Sequence, residues 1–211
     1  MTLSRDPPFI VYGLPRSRTA WIAAFLTYRD WTCHHEVAIT MRSVADVASF
    51  FQRPRTGAAE TAAAPGARML RYLVPGLREV VVRRPVADVV DAMLRVDVSG
   101  VATYDRAKLV RNMEYNSRAL DRVARHKGVL VLDYADLDME DACSAIFKHC
   151  LPYSFDREWW KRLRPQNIQA DTKEVLRYYF ANREAVERFK VACKSEIRRL
   201  AYAGLISNRE A

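Results

Sequence analysis

The chain has 211 residues, half of them hydrophobic, and a formal net charge of +9 from 34 Lys and Arg against 25 Asp and Glu. That length and apolar content support a sizeable core and exclude a disordered or low-complexity chain, and the low Gly and Pro content points to many helices. The positive balance favours an anionic partner, whether a nucleotide, DNA or another polyanion, although a basic solvated surface would read the same way.

Residues 1–10 carry Asp6, Pro7 and Pro8 and no long apolar run, so no export leader is expected. Phe9-Ile10-Val11-Tyr12 reads as a buried parallel strand. Gly13 and Pro15 break it, Ser17 or Thr19 can open a helix, and residues 19–28 continue as a mostly apolar one. Strand, tight turn and helix start together make an anion site: free backbone N–H groups and the positive helix end face one spot, and Arg16 and Arg18 add charge. Residues 31–40 form the second predicted strand, with Val37–Ile39 its apolar end and His34, His35 and Glu36 at its entry. Ser43-Val44-Ala45-Asp46 is a capping sequence for a helix through Phe51. Residues 55–66, rich in Ala, Thr and Gly, read as a loop or lid, and 68–73 as a helix stopped by Pro75-Gly76. Residues 77–82 are the third strand, followed at once by Arg83-Arg84-Pro85 and a helix to Leu94 with Asp88, Asp91 and Arg95 on its polar face. A strand ending in two arginines at a helix N-terminus is a second anion site.

Residues 105–126 repeat apolar side chains at helical spacing, and Val129–Leu132 is a short, wholly apolar fourth strand. Asp133-Tyr134-Ala135-Asp136-Leu137 follows, with Asp136 placed to cap the next helix, 139–150. Residues 155–163 hold Trp159 and Trp160, and 171–203 read as one long helix with a basic outer face. Four strands alternating with helices predict a three-layer α/β fold with a central, mainly parallel sheet and a long C-terminal helix. Residues 1–211 are read as a single domain, with 151–211 a helical extension packed on it. No C-x-x-C occurs among Cys33, Cys143, Cys150 and Cys193, so neither a metal site nor a disulfide framework is implied, and the thiols fit a reducing, cytoplasmic setting. No stretch approaches the ~18 apolar residues of a membrane span.

The first loop departs from the ATPase pattern G-x-x-x-x-G-K-[ST]: Gly13 fits its first position, but Arg18 and Thr19 stand where the second Gly and the Lys would be. Pro15-Arg16-Ser17-Arg18-Thr19-Ala20-Trp21 resembles instead the nucleotide-binding loop P-[KR]-S-G-[ST]-x-W of the sulfotransferase family, with Arg18 in place of the family's glycine. Arg83 and Pro85 resemble the family's strand–R-x-P–helix signature, although its phosphate-binding serine falls at Asp91, or at Ala92 if Arg84 is the equivalent arginine, and neither is a serine. Asp136-Leu137 matches the end of its Y-E-D-L segment. The resemblance implies a P-loop fold and sulfuryl transfer from 3′-phosphoadenylyl sulfate to a hydroxyl or amine. It also implies a donor site of Gly13, Pro15, Arg16, Ser17, Arg18, Thr19, Ala20, Arg83 and Arg84. Arg16 would neutralise the charge that spreads over the transferring group, and His35, Glu36 or Asp91 would be the general base. Two alternatives stay open: a P-loop kinase using ATP with Mg²⁺ on a nucleotide or a modified DNA base, and a non-catalytic nucleotide-binding module.

Overall fold

The computed structural model describes residues 6–206, so the reading of the first residues lies partly outside it. Five parallel strands make one sheet in the order β2-β3-β1-β4-β5: β1 (Phe9–Tyr12), β2 (Thr32–His35), β3 (Thr56–Glu60), β4 (Arg78–Arg83) and β5 (Leu130–Asp133). The registers Tyr12↔Glu60, Tyr12↔Val81 and Arg83↔Asp133 bring the carboxyl ends of the four inner-to-right strands to one edge, and His35 pairs there with Ala59.

Alternation along β1 builds two cores. Phe9 and Val11 point to one face, where α1 (Thr19–Leu26), α6 (Glu140–Cys150) and α7 (Arg157–Leu163) supply Trp21, Phe25, Phe147 and Trp160. Ile10 and Tyr12 point to the other, against α2 (Val44–Phe51), α3 (Ala67–Leu73), α4 (Val86–Leu94), α5 (Arg106–Ala124) and α9 (Arg183–Tyr202). The connection from β1 to β2 runs away from β4 and those to β3, β4 and β5 run back, so right-handed crossovers place α1 alone of the first five helices on its face.

Three sequence expectations change. Residues 55–66 are not a lid: Thr56–Glu60 is β3, an inner strand buried throughout. Its small side chains hide a strand signal but suit the packing. A Cβ on Gly57 would sit 2.1 Å from Cζ of the Phe9 ring, so the glycine makes room for the aromatic core. The second strand ends at His35. Glu36 takes a left-handed φ of 54°, and Val37–Thr40 forms a 3₁₀ turn whose Ala38 N–H donates to Glu60 Oε1 at 3.1 Å. His34 and His35 therefore lie at the carboxyl end of β2, not its entry. The C-terminal helix is two helices, α8 (Thr172–Ala181) and α9. The break is at Asn182, whose amide donates to the Tyr178 carbonyl while Arg42 bonds both residues' side chains. The Ser43–Asp46 capping box of α2 forms as expected, with reciprocal bonds of 3.1 and 2.9 Å.

Candidate active site

The β1–α1 loop turns tightly. Gly13 N–H donates to the Glu60 carbonyl at 3.1 Å and Ser17 N–H to that of Leu14 at 3.2 Å. A Cβ on Gly13 would stand 3.0 Å from Thr19 Cγ2, so a larger residue there would crowd the first turn of α1 against β1. Arg16 and Arg18 both have φ near 60°, the conformation that favours glycine in such a loop. No side chain caps α1, which leaves its first-turn N–H groups for an anion. The Ser17 hydroxyl is fully buried and has no partner among the described residues. Arg18 is engaged, donating to Asp138 at 2.6 Å and lying over the Trp21 ring. The Arg16 side chain has no hydrogen-bond or ion-pair partner among the described residues, and its only such contact is through its backbone carbonyl.

The two arginines after β4 diverge. Arg84 Nη1 donates to the Arg16 carbonyl, and its guanidinium stacks 4.1 Å over Tyr134. Arg83 turns to the other side and pairs at 3.6 Å with Asp121 of α5. Asp91 lies farther along α4, half-exposed, and accepts from Arg106 at 2.9 Å. The structure thus brings Arg84 to the loop and leaves Arg83 and Asp91 in ion pairs of their own.

His35 and Glu36 reach the loop from the other side. Thr19 Oγ1 and His35 Nε2 share a hydrogen bond of 3.1 Å, and Glu36 Oε1 lies 3.8 Å from the same ring nitrogen. Burial lowers the His35 pKa, so the ring is neutral and basic at pH 7. Burial raises that of Glu36, whose Oε1 accepts the Thr61 N–H at 3.1 Å. Glu60, which the sequence reading missed because it took this stretch for a loop, is held well above the ordinary carboxylate range by burial and then by Glu36.

Part of this set lines one cleft of about 710 Å³. Pro15, Arg16, Arg18, Thr19 and Ala20 form one wall with His35, Glu36 and Arg84, and the segment 164–170 with the start of α8 forms the opposite one. Arg95 and Tyr104, from the segment between α4 and α5, close a third side. A smaller hollow of about 520 Å³ adjoins it through Arg84 and Tyr134 and contains Arg83, Asp88, Ser117 and Asp133. Nothing in the sequence marked Tyr104 or Arg164 for the site, since neither belongs to a recognisable motif.

Sheet order, loop and cleft together define a sulfotransferase-like P-loop α/β fold. Among solved structures, the chain is similar to mouse sulfotransferase SULT7A1 complexed with PAP, with a TM-score of 0.56 over 82% of this chain and 75% of that one, at 12% identity. At that identity the likeness establishes the fold. No family model matches the chain, and no curated protein matches it significantly. No helix among the described residues is long and apolar enough to cross a membrane.

Proposed function

We propose that the cleft transfers a sulfuryl group from 3′-phosphoadenylyl sulfate to a hydroxyl or amine of an acceptor. The observation that carries this reading is the meeting of two basic turns 68 residues apart, Arg84 bonding the Arg16 carbonyl and leaving the Arg16 guanidinium free to face the cleft. The PAP in the solved relative's complex supports the same class of donor.

The residues present fit the donor's 5′-phosphosulfate. The unpartnered Ser17 hydroxyl, Thr19 and the uncapped start of α1 would bind its phosphate, and Arg16 would neutralise charge on the bridging oxygen. When bound, the donor would supply an activated sulfur–oxygen bond, which breaks with PAP as the leaving group as the acceptor's oxygen or nitrogen bonds to sulfur. His35, neutral and hydrogen-bonded to Thr19, is the base we assign to the acceptor proton. The 3′-phosphate finds less provision, because Arg83 is held by Asp121 and neither Asp91 nor Ala92 is the expected serine.

Calorimetric titration with PAP (3′-phosphoadenosine 5′-phosphate) and with ATP–Mg²⁺ tests the reading. PAP binding alone is expected. ATP–Mg²⁺ binding alone would replace it with phosphoryl transfer, and binding of neither would leave a module without this chemistry.

A further inference from the structure

Tyr104 lies in the stretch between α4 and α5, residues 95–105, which forms neither helix nor strand. It lines the same cleft as Arg16, Thr19 and His35. Its hydroxyl is shielded from solvent and has no hydrogen-bond partner among the described residues. Buried hydroxyls without a partner are uncommon, and one on the wall of a binding cleft marks a place where a ligand atom completes the bond. Burial raises the phenol's pKa and the Arg16 charge opposes that shift, which sets the two groups within electrostatic reach of each other. The phenol therefore stays a neutral O–H donor at pH 7.

The segment is held across the cleft rather than left loose. Val98 is buried, and Val101 and Ala102 N–H both donate to its carbonyl at 3.0 Å. Lys173, in the first turn of α8 on the opposite wall, donates to Asp97 at 2.7 Å. The protein thus fixes an unsatisfied donor beside an unsatisfied guanidinium in one cavity. A guanidinium cannot accept a hydrogen bond, so Arg16 cannot take the phenol's proton.

We propose that Tyr104 contacts the group being transferred, its phenolic O–H donating a hydrogen bond to an oxygen of the sulfuryl group beside Arg16. This rests on the sulfuryl-transfer reading and adds a residue to it. The bond would serve a second purpose besides holding charge. The oxygens it grips leave with the product, so the protein would release PAP more readily than it releases the intact donor.

Tyr104→Phe removes that oxygen and keeps the ring. Wild type and variant are titrated with PAP and, without acceptor, with 3′-phosphoadenylyl sulfate, and their melting temperatures are measured. The expected result is PAP affinity unchanged within about twofold, affinity for the sulfated donor weakened about tenfold or more, and a melting temperature unchanged or raised. Equal affinities in both proteins for both ligands would overturn the Tyr104 contact and leave sulfuryl transfer standing. So would an equal loss for both ligands, or a lowered melting temperature, since either would mean that the hydroxyl supports the fold. Wild-type protein that binds neither ligand would overturn both inferences.

Discussion

The turn after β1 and the turn after β4 each carry two arginines, and each divides them in the same way. In the first, Asp138 takes Arg18, and the Arg16 guanidinium has no ion-pair partner among the described residues. In the second, Asp121 takes Arg83 while Arg84 leans onto Tyr134 and bonds the first turn's backbone. A carboxylate takes one cation of each pair, and the other has no acidic partner among the described residues. The difference lies in what the kept arginine touches. Arg84 is bound to protein and positions the loop, whereas the Arg16 guanidinium is left without such a partner.

That contrast ranks the variants. Arg16→Ala should have the largest effect, lowering the transfer rate by about 10³-fold or more, the scale on which arginines stabilise such transition states. Single-turnover kinetics with an unchanged melting temperature would show it, and an unchanged rate would move the reactive centre elsewhere. His35→Ala should slow the chemical step by ~10²–10⁴-fold. Its pH profile has a defined sign. Because burial lowers the folded pKa beneath the usual 6.5, the wild-type rate should be flat above pH 6.5 and fall as acid protonates the ring. The unfolded chain takes up that proton at higher pH, so the residue's stability contribution is present above 6.5 and is lost on acidification. A profile whose acid limb survives in His35→Ala would assign the base to another group.

Arg84→Ala should weaken nucleotide binding by about 10–100-fold, since it releases the loop's carbonyl and uncovers Tyr134. Arg83→Ala should do least. Its pair with Asp121 is half-exposed, so less than about 1 kcal/mol of stability is at stake, and titration should find little change in nucleotide affinity. A larger loss from Arg83→Ala than from Arg84→Ala would invert the division drawn between the neighbours.

Much of the frame was legible locally. β1, β4 and β5 each carry a short apolar run, Phe9–Tyr12, Val80–Val82 and Leu130–Leu132, and the caps of α2 and α5 follow from Ser43 and Asp105 acting on N–H groups three residues on. β3 was illegible for a reason that lies elsewhere in the chain. Gly57 and its alanine neighbours carry no strand propensity of their own, and Phe9 across the ladder leaves no room for a Cβ at Gly57. Misreading β3 also hid Glu60. The end of β2 went astray similarly, because Glu60 draws the Ala38 N–H into a 3₁₀ turn that Val37–Ile39 alone would not favour.

The sequence by itself determined the alternation of strand and helix, the tight glycine turn and the presence of arginines at two helix starts, because these depend on neighbours a few residues apart. Which arginine of each pair a carboxylate takes, the placing of His35 against Thr19 and the shielding of the Tyr104 hydroxyl were decided only by the tertiary structure. Each depends on partners far apart in the chain, which sheet order and helix packing bring together.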